Sequence, residues 1–197
     1  MNKKSVKKAL LLVLCAILLV VASVMGTLAY LTDKDDATNT FTAGKVQITL
    51  TESVVNEYGV PVTPAATTPD GNEYLLVPGN NYTKNPVVTV LANSEPSWLF
   101  VKVENGIAGI EADSDKIVAQ MSTNGWQLVE GQTNVYWNEH TAKSGADALY
   151  PVFDSFTIKT AWDGAGYDDA EVVLTAYAIQ KANLADAKTA WAAFPNP

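Results

Sequence analysis
Arginine is absent from the 197 residues, histidine occurs once and cysteine once, at position 15. Without arginine the chain lacks the planar fork that clamps phosphates and carboxylates in bidentate fashion. All 13 basic residues are therefore lysines, four of them within the first eight positions, which leaves nine against 21 acidic residues, a formal charge of 9 − 21 = −12. Such a surface repels nucleic acid and anionic lipid heads, and no nucleic-acid partner is expected. The one histidine, His140, is the only residue around which a Ser-His-Asp triad or a zincin site could be built. No H-E-x-x-H run exists, and a zinc centre here would have to draw its other ligands from carboxylates. His140 is read as an exposed loop residue. No catalytic residue, resident metal or cofactor is expected, and the chain is not read as an enzyme. Cys15 lies inside an apolar run that continues past it, with Leu14 where a lipid-attachment site wants a small residue. It reads as a small hydrophobe. The rest of the chain then has no disulfide and no thiolate ligand.

What is present begins with a targeting segment. Met1 to Lys8 is basic, and Ala9 to Thr32 carries no charge. That run matches the roughly 20 apolar residues that span a bilayer. Its far end changes character: Gly26 can break a helix, and Thr27 and Ala29 offer small side chains at −3 and −1 of a signal-peptidase site, with polar sequence close behind. Cleavage after Ala29 makes Tyr30 the first mature residue. The alternative is an uncleaved anchor with the lysines inside and Asp33, Asp35 and Asp36 outside. Either way the domain is exported, and it meets the membrane only through this segment. Length and a 48% hydrophobic content allow one packed domain beside it. The division expected is a signal helix over 1–29, an N-terminal extension over 30–40 and a folded domain over 41–197.

From Phe41 onward the pattern has period two. Val46, Ile48 and Leu50 alternate with Lys45, Gln47 and Thr49, a half-buried strand. A connection rich in proline and glycine, with a Pro69-Asp70-Gly71 turn, follows and leaves room only for short strands. Strands are predicted over Val87 to Leu91, Trp98 to Glu104, Trp126 to Val129 and Val135 to Trp137, and in PVFDSFTIKTAW and EVVLTAYAIQ, with a loop or short helix before Trp126. Many short strands without intervening helices predict an all-β fold, an antiparallel β-sandwich of jelly-roll type. Near the end, Leu184, Ala187, Trp191 and Phe194 form one helical stripe, with Asn183 as N-cap, Asp186 in the first turn and Pro195 as stop. This short C-terminal helix is expected to lie on the sandwich and close one end.

Other motifs carry less chemistry. The best placed calcium ligands are Asp163, Asp168 and Asp169 in DGAGYDDAE, which lacks EF-hand spacing and otherwise reads as a solvated loop. Five tryptophans suit a sugar-binding face, yet their positions on strands and on the helix stripe favour packing. Asn81-Tyr82-Thr83 is a glycosylation sequon only in a host with that machinery.

The boundary GTLAYLTDKDDATNTFTAGKVQITLTE resembles the export signal of the TasA and camelysin family, which is processed by a SipW-type signal peptidase. Thr27, Ala29 and Tyr30 match the cut, and Ala37 to Gly44 with Ile48 and Leu50 match the strand that follows it. The resemblance continues through LVPG at Leu76 to Gly79 with Lys84 and Pro86, WLFVKV from Trp98, VYW from Val135, and AYAIQKANLADAKTAW from Ala176 to Trp191. It implies a jelly-roll domain secreted by a Gram-positive bacterium, with relatives that build fibres of the biofilm matrix. In such fibres the mature N-terminal strand of one subunit completes the sheet of the next. The residues this implies for the assembly strand are Tyr30, Leu31, Thr32, Ala37 and Phe41. The implied partners are a SipW-type signal peptidase and further copies of the chain or related matrix proteins. The same family supplies a rival, a camelysin-like surface metallopeptidase. A non-polymerising adhesin or carbohydrate-binding module is the third reading.

Overall fold
The computed structural model describes Cys15, the backbone of residues 32–35, and residues 46–167 and 169–195. Cys15 is helical and exposed. Among the described residues no helix is long and apolar enough to cross a membrane. The expected signal helix and most of the N-terminal extension lie outside them.

The fold is all-β and antiparallel. One sheet has the order β1-β11-β6-β8-β7, built from Thr32–Asp35 (β1), Val172–Gln180 (β11), Ser97–Asn105 (β6), Val135–His140 (β8) and Gln127–Leu128 (β7). A second has the order β3-β2-β5-β9, from Thr67–Thr68, Ile48–Ser53, Val87–Val90 and Ala148–Pro151. A two-stranded pair joins β4 (Asn81–Thr83) to β10 (Ser155–Thr157). The segment PVFDSFTIKTAW, read as one strand, is divided: β9 ends at Pro151, and β10 begins at Ser155 with a different partner.

Alternation along β6 explains how one sheet is buried on both sides. Leu99, Val101 and Val103 face a core shared with the second sheet, where Ile48, Val88 and Val90 meet them. Trp98 and Phe100 face the other way, into a separate apolar layer. β11 pairs with β6 over its whole length, from Val172↔Asn105 to Gln180↔Ser97. It repeats the division, with Ala176 and Ala178 toward the shared core and Tyr177 and Ile179 toward the outer layer. Two-sided burial is why both strands read as nearly continuous apolar runs.

Two short helices complete these cores. Ile117–Thr123 (α1) inserts Ile117 and Met121 into the shared core. Ala187–Ala192 (α2) covers the outer face of the first sheet instead of closing an end: Trp191 lies 5.2 Å from Phe100 and 5.2 Å from Tyr177 between ring centres, and Phe194 packs on the same rings. Six residues are too few to hold a helix unaided, so packing and capping sustain it. The cap is Asp186, whose Oδ1 accepts from the Thr189 amide at 2.7 Å. Asn183, expected to be the cap, adopts a positive φ of 67° in the preceding turn, a conformation asparagine tolerates better than most residues.

Candidate assembly edge and its cleft
The outer edge of β11 is where the N-terminal segment docks. β1 runs antiparallel to it, with Thr32 opposite Ile179, Asp33 opposite Ala178, Lys34 opposite Tyr177 and Asp35 opposite Ala176. The contact is a backbone ladder, so it depends on extended conformation and not on particular side chains. Among the described residues, positions 172–175 of β11 have β6 on one side and no strand on the other. Val173 is exposed.

Beside residues 172–174 a cleft of about 970 Å³ opens between β11 and β2. Its floor is apolar, with Leu50, Leu76, Ile107, Phe156, Val172 and Leu174. Its rim is acidic, with Asp70, Glu73, Asp169 and Glu171. Two charges lie in its wall. Glu52, the position where β2 continues the inward series Val46, Ile48 and Leu50, is 6% exposed, and Lys84 is 7% exposed. Lys84 Nζ donates to Glu52 Oε2 at 2.8 Å, and Asn72 Nδ2 donates to Glu52 Oε1 at 2.7 Å. Burial, and then the Glu52 carboxylate nearby, push the Tyr74 phenol well above its ordinary value. Tyr74 donates to the Thr83 carbonyl at 3.0 Å.

A second polar centre ties α1 to the β4–β10 pair. Asp115 Oδ2 accepts from Asn81 Nδ2 at 3.0 Å, Ser155 Oγ at 3.1 Å and Thr157 Oγ1 at 2.8 Å, while Oδ1 accepts from Gln120 Nε2 at 2.9 Å. The amide of Asn81, the sequon residue, is thus engaged within the fold.

The residues singled out from sequence fare differently. Thr32 is in β1, opposite Ile179. Thr27, Ala29, Tyr30, Leu31, Ala37, Phe41 and Asp168 lie outside the described residues. Asp163 is exposed and accepts from the Ala165 amide at 3.1 Å, an ordinary turn contact, and Asp169 stands on the rim of the cleft. Among the described residues no three His, Cys, Asp or Glu side chains are grouped to hold a metal ion. His140 corrects the expectation of an exposed loop. It ends β8 and is 5% exposed, with Nδ1 2.9 Å from Tyr150 Oη; burial lowers its pKa. Period two along VYWNEH places it on the same face as Tyr136, which turns toward the shared core. The tryptophans mostly pack: Trp98, Trp126 and Trp191 are buried, Trp137 borders the outer layer, and Trp162 is half-buried in a turn.

Sequence reasoning missed the Glu52–Lys84–Asn72 group. A signal existed, because an acidic residue stands in an inward-facing register position of β2. The position of Lys84, 32 residues away along the chain, is set only by tertiary pairing. Comparison with family models, with curated proteins and with solved structures gave no match.

Proposed function
We propose that the chain is an exported extracellular structural protein, a jelly-roll subunit of biofilm-matrix or cell-surface fibres, joined when the N-terminal strand of one copy adds to the β11 edge of the next. The observation that carries this reading is the backbone ladder between residues 32–35 and β11. A ladder made by main-chain groups is equally well satisfied by the chain's own segment or by that of a second copy. Exchange between copies conserves the hydrogen bonds while gaining a polymer. The resemblance to the TasA and camelysin family supports the same reading from the sequence side. Cleavage after Ala29 by a SipW-type peptidase is the step that frees the strand, so processing and assembly are coupled.

The test is negative-stain electron microscopy of protein beginning at Tyr30, at rising concentration. Thin regular fibres are expected. Deleting residues 30–40 is expected to abolish them while circular dichroism still reports folded β-structure. Monomers only from the intact mature protein, or fibres that survive the deletion, overturn the proposal.

A further inference from the structure
An exported domain with no cysteine beyond position 15 has no disulfide with which to staple its loops. The geometry around Glu52 points to a different covalent staple: an intramolecular amide bond between Lys84 Nζ and the side-chain Cγ of Asn72, promoted by Glu52.

The amine and the amide are gathered on the two oxygens of one side chain. One buried carboxylate holds both reactants, the amine on Oε2 at 2.8 Å and the amide on Oε1 at 2.7 Å. Asn72 is fixed on its other sides, since its Oδ1 accepts from the Val55 amide at 2.9 Å and its Nδ2 also donates to the Ser53 carbonyl at 2.9 Å. The Val55 donor draws electron density from the carbonyl and meets the negative charge that grows on Oδ1 during attack. Holding amine and amide on one rigid carboxylate replaces a bimolecular encounter by a local one. The wall of the cleft is also lined by Tyr74 and Phe156, whose rings meet edge to face at 5.3 Å.

The atoms balance without oxidant or cofactor. Glu52 takes a proton from Lys84, and the neutral amine attacks Cγ of Asn72. The Cγ–Nδ2 bond breaks as Glu52 returns the proton to the departing nitrogen, and a second Nζ proton passes through Glu52 to the ammonia as the new amide forms. The nitrogen leaves as ammonium, Glu52 is again a carboxylate, and the chain is lighter by the mass of one ammonia. The product ties the loop after β3 to the junction of β4 and β5, along one wall of the cleft. A cross-link of this kind stabilises by restricting the unfolded chain, as a disulfide does.

Trypsin reads the outcome directly on the full chain. Between Lys45 and Lys102 the only lysine is Lys84. An unlinked chain gives peptides 46–84 and 85–102, whereas an acylated Lys84 resists cleavage and leaves 46–102 short of one ammonia. The single linked peptide is expected from wild type, with complete loss of it in Glu52→Gln and in Asn72→Ala. Succinimide formation at an asparagine also loses ammonia but leaves Lys84 cleavable, and that result counts against the bond. Folded wild type cut quantitatively after Lys84 overturns the proposal whatever the variants do. A linked peptide persisting in Glu52→Gln overturns the role given to Glu52.

Discussion

The β6–β11 ladder and the β2 flank of the cleft solve the same problem of burial by opposite means. The ladder joins nine residue pairs, from Val172↔Asn105 to Gln180↔Ser97, and places apolar side chains on both faces. The flank pairs β2 with β5 over four positions and buries a carboxylate and an ammonium at its end. The first arrangement is rigid because close-packed side chains have nowhere to move. The second is conditional, because each buried charge is tolerable only while its partner is in place. Strength and adaptability are thus divided between the β6–β11 ladder and the β2 side of the cleft.

The largest effect is expected from breaking the central ladder. Phe100 is fully buried between β6 and α2, against Trp191 and Phe194. Phe100→Ala is expected to cost about 3–5 kcal/mol, which chemical denaturation will measure, and α2 should loosen with it. A loss well under about 1 kcal/mol would mean that the outer layer is dispensable, and that the two faces of the sheet are not equivalent cores.

On the flank, Lys84→Ala leaves Glu52 buried and unpaired, a change that typically costs about 3–5 kcal/mol. The distinguishing experiment is the double replacement Glu52→Leu with Lys84→Met. Apolar residues of similar volume often match or exceed a buried ion pair, so the double variant is expected to recover the cost of the unpaired charge but not the contribution of the Lys84–Asn72 bond, which neither variant can form. A double variant as unstable as Lys84→Ala shows that Asn72, or a covalent bond to it, contributes beyond the charge pair.

How far these features were legible in the sequence follows from the same contrast. Period two exposed β2, because one face of that strand meets a core and the chain records that locally, while β5, β6, β8 and β11 were read as strands from short apolar runs bounded by turn residues. The two-sided burial of β6 and β11 was not read from the sequence, although it accounts for the unbroken apolar character of WLFVKV and AYAI. Which strands pair was not legible, since β6 lies between β8 and β11, with partners far away along the chain in both cases. The cap of α2 was misassigned because Asn183 and Asp186 both carry cap-forming side chains, and only the backbone decides between them. His140 was misread because its lone occurrence suggested a surface group, while its strand parity pointed inward.

His140 offers a smaller effect with a defined sign. Burial lowers its pKa from the ordinary 6.5, so the unfolded chain binds the proton more readily than the fold does. The neutral form therefore supports stability, fully so above the unfolded value, and the contribution is lost as pH falls from there through the folded value. Wild type is expected to lose stability over that window, and His140→Gln to show a flatter profile in thermal melts taken at successive pH values. An unchanged slope would place the acid sensitivity elsewhere.

The smallest effect is expected at the C-terminal helix, where the cap is exposed. Asp186 is held below its ordinary 3.8, first by the Thr189 backbone hydrogen bond. A depressed carboxyl contributes stability above its unfolded value and loses it as pH falls through the folded one. Asp186→Asn keeps a side-chain oxygen able to accept from Thr189 and removes the charge, so near neutrality it should melt close to wild type. Asp186→Ala removes the acceptor and should melt lower at every pH above the carboxyl titration, converging on wild type only in acid. Should the alanine variant match wild type throughout, packing of Trp191 and Phe194 alone would suffice to hold α2, and the outer layer would rank with the ladder as a self-sufficient core.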